Sequence, residues 1–390
     1  MTNWRPQHYR RQAEIRGDVD PGVLANALSA GEQVIAVNSA LRPVFTLRHL
    51  CHLADVSYTR MREIVARTGG DGYRVFTIKK RPSRQGERRF RVICAPEPAL
   101  MRVQRWIATN ILNNGTTLLH PASTAFAPGN KLKEAAAPHC GCRWLVKLDV
   151  KNFFESVSEI TAYRSFRRLG YQPLISFEMA RICSRLGTRT LPKSHARWRS
   201  RLSWSTIFAY SNRRVGHLPQ GAPTSPMLAN MAVCELDGEL TMLASQYGLN
   251  YTRYADDLTF STKDRERAFN RSRADEFIRR AYMVIGRHGL SPNSTKTQVV
   301  PPGARKVVLG LLVDKDLPRL PREFKANLRM HLHFLLRRDV GPAKHAEARG
   351  FAAIAGLRNH LNGLVTFAAQ IEPDYASAVA CDLAGVQWPV

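Results

Sequence analysis

The chain has 390 residues, 44% of them hydrophobic, which is enough to bury a core in two or three compact units. Lysine and arginine number 58 against 31 aspartates and glutamates, and the net charge of +27 indicates a polyanionic partner. No apolar run reaches the roughly 18 residues of a membrane span, and the polar N-terminus lacks the apolar centre of a signal peptide. On charge alone, a ribosomal-type or membrane-surface basic protein is the alternative to a nucleic-acid enzyme.

The seven cysteines are scattered and odd in number, which indicates a reducing compartment rather than a disulfide framework. Cys140 and Cys142 lie next to His139, but no second pair follows at zinc-ligand spacing, so we do not expect a structural zinc site. We therefore expect a cytoplasmic protein with no membrane partner.

The first elements along the chain are predicted to be helices followed by a β-hairpin. Residues 1 to about 70 have the apolar rhythm of helices but no recognisable chemistry, and we expect an N-terminal helical extension. Residues 73–80 and 88–96 alternate apolar and polar side chains around the turn-rich PSRQGE, which predicts a hairpin. A helix is expected from about Pro98 to Asn113.

Two short apolar segments are predicted to deliver acidic residues to one place. The segment RWLVKLDV (143–150) reads as a buried strand with Asp149 at its C-terminal edge. The segment NYTRYADDLTFST (250–262) reads as a strand pair with Asp256 and Asp257 at the hairpin tip. These strands therefore present three carboxylates.

A basic segment at about 181–216 lies between these strands and is rich in Arg, Ser and Trp. Basic residues interleaved with aromatic rings suit contacts with the backbone and bases of a nucleic acid. The alternative is a solvated loop whose aromatic rings face the core. The candidate RNA contacts in this segment are Arg197, Trp198, Arg199, Arg201 and Trp204.

The C-terminal part of the chain is predicted to contain a hairpin and then helices. The segment VVLGLLVD follows Lys306 and is the hairpin candidate, and from Arg322 onward the pattern is mostly that of amphipathic helices.

The three carboxylates suit nucleotidyl transfer. This reaction uses two divalent cations, one lowering the pKa of the attacking hydroxyl and one holding the leaving pyrophosphate. Magnesium prefers oxygen ligands, which Asp149, Asp256 and Asp257 supply. An Asp-Asp pair alone is weak evidence for a metal site, because such pairs are common on exposed turns. The stronger evidence is that this pair lies inside an apolar strand pair of a strongly basic protein.

Motifs in this order resemble the palm motifs of reverse transcriptases, over about residues 73–315. The motifs are LVKLDVKNFF (145–154), LPQGAPTSP (218–226), YADD (254–257) and GLSPNSTKT (289–297).

The resemblance implies an α+β right-hand polymerase fold, with fingers, an antiparallel-sheet palm and a small helical thumb after the N-terminal helical extension. The implied regions are the extension at 1–70, fingers at 71–142, palm at 143–320 with the basic insert, and thumb at 321–390. The segment after YADD is long enough only for a small thumb.

The resemblance also implies the metal ligands and the sugar gate. Asp149 and Asp256 would bind two Mg²⁺ ions, for which Mn²⁺ could substitute, with Asp257 and the Val150 carbonyl completing the set. Phe154 matches an aromatic gate whose ring excludes a ribonucleotide 2′-OH. The alternative for Phe154 is a core aromatic residue.

Further nucleotide contacts follow from matching positions. Gln220 and Gly221 match the loop beneath the incoming dNTP, where glycine permits close backbone approach. Lys80 and Arg91 match the fingers residues that grip the triphosphate, although other basic residues stand nearby. Lys296 resembles a lysine proposed to protonate the departing pyrophosphate, with a solvated lysine as the alternative.

Among reverse transcriptases, the chain resembles the bacterial retron type best. The resemblance rests on compactness, on RVICAPEPALMRVQRWI (91–107) and on FFESV (153–157). The motif QGAPTSP does not end in SQ, which argues against the mutagenic reverse transcriptases of diversity-generating elements. Two retron hallmarks are half present and give further candidate RNA contacts, His139 in AAAPH and Val308, Leu309 and Gly310 in VLG.

A retron enzyme would copy part of a cognate structured noncoding RNA, as template and primer, into RNA-linked branched DNA (msDNA). It would use dNTPs and act in antiphage defence with a separate effector protein. One alternative is another compact bacterial reverse transcriptase, intron-derived, CRISPR-associated or from another defence system. Another is an inactive polymerase-like RNA-binding scaffold, against which the intact Asp149, Asp256 and Asp257 argue.

Overall fold

The computed structural model describes residues 4–79, 90–187, 198, 210, 212, 214–263 and 268–389. The N-terminal region is helical, as predicted. Asp20, Thr46 and Ser57 each accept a backbone hydrogen bond at a helix N-terminus, which satisfies a donor that the helix leaves free. The helices are α1 (Pro6–Arg16), α2 (Pro21–Val37), α3 (Leu47–Leu53) and α4 (Tyr58–Ala66).

The predicted hairpin and the helix after it are both observed. Strands β1 (Tyr73–Lys79) and β2 (Phe90–Pro96) pair antiparallel. Helix α5 (Pro98–Asn110) has proline in its first turn, where the missing N–H costs nothing, and ends slightly earlier than predicted. A short 3₁₀ turn continues it over Leu112–Asn114, and α6 (Leu132–Ala136) follows.

The centre of the molecule is an antiparallel sheet. Its strands are β3 (Trp144–Lys151), β4 (Asn250–Tyr254), β5 (Asp257–Thr262), β6 (Ser291–Pro292) and β7 (Gln298–Val300). Their order is β4-β5-β3-β6, with β7 also paired to β3, so both predicted acidic segments lie in adjacent strands. Leu145, Val146 and Leu148 of β3 are buried, as its apolar sequence predicts.

Helices pack on this sheet through one continuous hydrophobic core. Phe277 of α11, for example, meets Phe260 of β5 edge to face at a centroid distance of 4.7 Å. The helices are α7 (Glu159–Arg168), α8 (Pro173–Ile182), α9 (Ser225–Ala232), α10 (Cys234–Gln246) and α11 (Arg271–Arg287).

Helices α2, α3 and α4 belong to the same core. Val34, Leu50 and Met61 are buried in the cluster that includes sheet residues Val146 and Phe260. These three helices of the predicted N-terminal region are therefore packed into one core with the central sheet.

The C-terminal part contains the predicted hairpin and helices. The helices share a separate hydrophobic cluster around Leu328, Leu357 and Leu361. No helix among the described residues is long and apolar enough to cross a membrane. The elements are β8 (Val307–Val308), β9 (Leu311–Leu312), α12 (Arg322–Leu336), α13 (Gly341–Ala348), α14 (Ile354–Ile371) and α15 (Pro373–Ala384).

Candidate active site

The structure brings Asp149, Asp256 and Asp257 to the same end of the central sheet. Asp149 of β3 lies opposite Asp257 of β5 in the antiparallel register. The next backbone N–H, that of Val150, donates to the Asp256 carbonyl at 3.0 Å. Two strands that are distant in sequence therefore fix the three carboxylates beside one another.

The turn that carries Asp256 has a special backbone conformation. Ala255 has φ +57°, in the left-handed region that non-glycine residues rarely adopt, and this lets the chain reverse between β4 and β5. Burial raises the pKa of the Asp256 carboxyl, and the charge of Asp149 raises it further. Burial and the charge of Asp256 likewise raise the pKa of Asp257. These repulsions make a nearby cation favourable.

Asp149 already has two partners from the GLSPNSTKT motif. The Asn293 side-chain amide donates to one carboxylate oxygen at 2.7 Å, and the Lys296 ammonium contacts the other at 2.6 Å. Among the described residues, no group of three or more His, Cys, Asp or Glu is arranged as a metal site. The oxygen donors would fit a hard divalent cation by their chemistry, and Lys296 contacts one oxygen of Asp149.

A cavity of about 410 Å³ lies between the fingers hairpin and these carboxylates. Arg91 of β2 is exposed on its fingers side, and its charge partly counters the rise in the pKa of Asp256. The cavity thus has a cationic side, with Arg91, and an anionic side, with Asp149 and Asp256. Its lining includes Phe90, Arg91, Asp149, Phe154, Gln220, Asp256 and Lys296.

Phe154, for which the resemblance predicts the role of a sugar gate, lies at the cavity. Its side chain is half-buried and lines the cavity, five residues after Asp149. Its ring lies 5.6 Å from that of Phe153, which is buried in the core. Phe153 is the more deeply buried of the two, but both rings line the cavity, and Phe154 also packs against the core.

The loop that contains Gln220 and Gly221 docks on the fingers strand β2. The Cys94 N–H donates to the Gln220 carbonyl at 2.8 Å. Gly221 has φ +113°, and a Cβ there would lie 3.0 Å from the Cys94 carbonyl oxygen. Only glycine combines this backbone conformation with this close approach to β2.

Comparison with known proteins identifies the family of this chain. Residues 78–313 match the family described as "Reverse transcriptase (RNA-dependent DNA polymerase)". The chain belongs to this family. It is an RNA-directed DNA polymerase with the right-hand fold, and the family depends in general on divalent metal ions.

The curated relatives of this reverse transcriptase carry retron names, and it is of the bacterial retron type. It is 29% identical to "Retron Ec86 reverse transcriptase" of Escherichia coli, over 87% of this chain and 93% of that one. It is 32% and 33% identical to the Mx162 and Mx65 retron reverse transcriptases of Myxococcus xanthus, over 77% of this chain. It spans 61% and 62% of those two proteins.

Among solved structures, the chain is similar to the structure of telomerase from Candida albicans in complex with a fragment of telomeric RNA. The TM-score is 0.35 and the identity is 11%, over 79% of this chain and 56% of that chain. A likeness this distant supports no assignment.

Several predicted contacts of this reverse transcriptase fall outside the described residues, or inside the core. Trp198 is 8% exposed, and Tyr210 of the same segment is buried with its hydroxyl donating to Glu178 at 2.5 Å. Both described aromatic residues of the basic insert are therefore buried, and Tyr210 belongs to the main hydrophobic core. Lys80, Arg197, Arg199, Arg201 and Trp204 lie outside the described residues.

His139 does not lie where an RNA contact would be expected. It is fully buried, and its two ring nitrogens meet the Ser261 and Thr252 hydroxyls, each at 2.7 Å. Burial lowers its pKa to about 4, so the ring is neutral. His139 thus braces strands β4 and β5 from within, which replaces the predicted contact with RNA.

The VLG motif forms the tip of the β8–β9 hairpin. Val308 is buried in a second hydrophobic cluster, so its side chain is unsuited to the predicted RNA contact. Leu309 and Gly310 form a two-residue turn with φ +51° and φ +83°, and Gly310 is exposed. Within the VLG motif, Gly310 is the exposed residue.

Sequence reasoning missed Arg253, next to the YADD motif. Arg253 is fully buried and forms a two-point ion pair with Asp237 of α10, with contacts of 2.8 and 2.7 Å. It also donates to the Ala255 carbonyl at 3.2 Å, directly before Asp256. A signal was present, because an arginine inside an apolar strand needs a buried acidic partner.

Proposed function

We propose that this reverse transcriptase copies part of a cognate structured noncoding RNA into RNA-linked branched DNA, or msDNA. The proposal includes a role in antiphage defence beside a separate effector protein. The retron names of its relatives support the product, and the charge of +27 supports an RNA partner. The scattered, odd-numbered cysteines suit a reducing compartment and so support a cytoplasmic location.

The observation that carries the chemical part is the register of Asp149 opposite Asp257, with Asp256 at the adjacent tip. These three carboxylates and the Val150 carbonyl would hold two Mg²⁺ ions. The ions, when bound, would supply charge neutralisation for the triphosphate and a lower pKa for the primer hydroxyl. Lys296 contacts Asp149, so its ammonium stands beside the reaction centre and could donate a proton to the leaving pyrophosphate.

The remaining cavity residues would bind the dNTP. Arg91 and Lys80 would hold the triphosphate, Gln220 and Gly221 would lie beneath the nucleotide, and Phe154 would exclude a 2′-OH. We retain the division into extension, fingers, palm and thumb at the boundaries predicted from sequence. The arginines of the basic insert and the exposed VLG turn are the proposed RNA contacts.

The polymerase site is tested with an Asp256→Ala, Asp257→Ala double variant. Mg²⁺-dependent dNTP incorporation on an RNA template should fall to background, because the cation ligands are gone. RNA binding, measured by filter retention, should stay close to that of the unaltered protein. Incorporation that survives the double substitution would remove these carboxylates from the mechanism.

The msDNA product is tested by purifying the protein from its native host and sequencing the nucleic acid bound to it. One structured RNA joined to DNA through a guanosine 2′-OH is the expected result. A diverse set of linear RNAs would refute the branched product. Deleting the basic insert should weaken binding of the cognate RNA, and unchanged binding would exclude the insert as a recognition surface.

A further inference from the structure

Phe126 is a bulky aromatic residue in a strained backbone conformation at the surface. Its φ is +65°, in the left-handed region, and its side chain is 39% exposed. Such strain persists only where the surrounding structure imposes it, and it concentrates at functional sites. Since the ring is only partly buried, packing in the core does not account for Phe126.

The segment before Phe126 is attached to strand β4, next to the YADD motif. Arg253 donates its backbone N–H to the Ala122 carbonyl and accepts one from Thr124, both at 2.8 Å. The Arg253 guanidinium reaches the Ser123 hydroxyl at 3.0 Å, and the Asn230 amide donates to the Ala125 carbonyl at 2.8 Å. These bonds fix the backbone up to the residue before Phe126.

The attachment places the Phe126 ring beside two aromatic residues near the candidate active site. Its centroid lies 6.3 Å from that of Phe154 and 6.1 Å from that of Tyr254, within the range of aromatic pairs. Phe154 lines the cavity, and Tyr254 begins the YADD motif. Phe126 is not among the described residues that line the cavity, so it acts on the site through Phe154.

We propose that Phe126 is a positioning residue for sugar discrimination, which supports the Phe154 ring from behind. The inference rests on the proposed role of Phe154 as the gate. A steric gate excludes a 2′-OH only if its ring cannot retreat, and interiors resist such movement when a neighbour fills the space. Phe126 fills that space, and the strained backbone is what brings it there.

The test uses Phe126→Gly, because glycine adopts φ +65° without strain and so preserves the loop while removing the ring. The ratio of kcat/KM for a dNTP to that for the matching rNTP should fall about five- to tenfold, as expected for losing one aromatic contact. The change should come from the rNTP, with kcat for the dNTP within about twofold of the unaltered enzyme. Phe126→Leu should give a smaller fall.

Two comparisons separate the outcomes. Tyr9→Ala, at a similarly exposed aromatic residue in α1, should leave the ratio unchanged. Phe154→Ala should lower the ratio at least as much as Phe126→Gly. If Phe154→Ala has no effect, the gate itself is refuted. If only Phe154→Ala lowers the ratio, or if Phe126→Gly slows dNTP and rNTP equally, the role of Phe126 is overturned and the gate stands.

Discussion

The buried ion pair between Arg253 and Asp237 allows a quantitative prediction. Both side chains are fully shielded from solvent. In an Arg253→Met variant, the Asp237 carboxylate would stay buried with the Tyr251 hydroxyl, at 2.8 Å, as its remaining described side-chain donor. The Ala255 carbonyl would also lose its bond to the guanidinium at 3.2 Å, which releases the turn before Asp256.

The expected loss follows from the cost of a buried charge without its partner. Breaking such a pair typically lowers the free energy of unfolding by about 3–5 kcal/mol. Removing both charges costs less, since neither is then left unpaired. We therefore expect an Arg253→Met, Asp237→Asn double variant to lose at least about 1 kcal/mol less than the sum of its single variants.

Urea unfolding followed by tryptophan fluorescence measures these differences. The control is Arg271→Met, which removes an exposed i,i+4 pair with Asp275 and should cost less than about 1 kcal/mol. The reasoning is refuted if Arg253→Met costs no more than this control, or if the two single losses add without coupling.

Two further predictions concern pH and the Gln220–Gly221 loop. His139 stays neutral in the folded protein down to its pKa of about 4, whereas the unfolded chain binds a proton below 6.5. The free energy of unfolding should therefore fall as pH drops from 6.5 towards 4, with this residue contributing a loss of roughly 3 kcal/mol. In the His139→Gln variant, the urea midpoint should fall less steeply with pH than in the unaltered protein. An equally steep fall in both proteins would contradict the prediction. Gly221→Ala should raise the KM for dNTP and cost about 1–3 kcal/mol of stability through backbone strain and the contact with Cys94. Gly238→Ala, in α10 where a Cβ meets nothing within 4 Å, should be neutral or slightly stabilising, and equal behaviour of the two variants would exclude the steric argument.

Local patterns were sufficient to predict the secondary structure around the site. The alternation in β1 and β2 and the apolar run of β3 record which faces are buried, so the hairpin and the acidic strands followed from sequence. The N-terminal helices were also predictable as helices. Their place in the main core was not, because periodicity shows that a face is buried but not what covers it.

The aromatic residues of the basic insert show the same limit. Trp198 and Tyr210 are compatible, by sequence, with stacking on bases or with core packing. In the structure, Tyr210 packs in the core. Its ring centroid lies 5.5 Å from that of Phe177, and its hydroxyl donates a hydrogen bond to Glu178.

The sequence by itself determined the class of enzyme, because the residue types and the order of the motifs indicate a reverse transcriptase and predict its three acidic residues. The tertiary structure decided which residues support that chemistry. Lys296 meets Asp149 across 147 residues of chain, and His139 meets Ser261 across 122. Contacts over such distances depend on how strands and helices assemble, and a single sequence carries only local periodicity about that assembly.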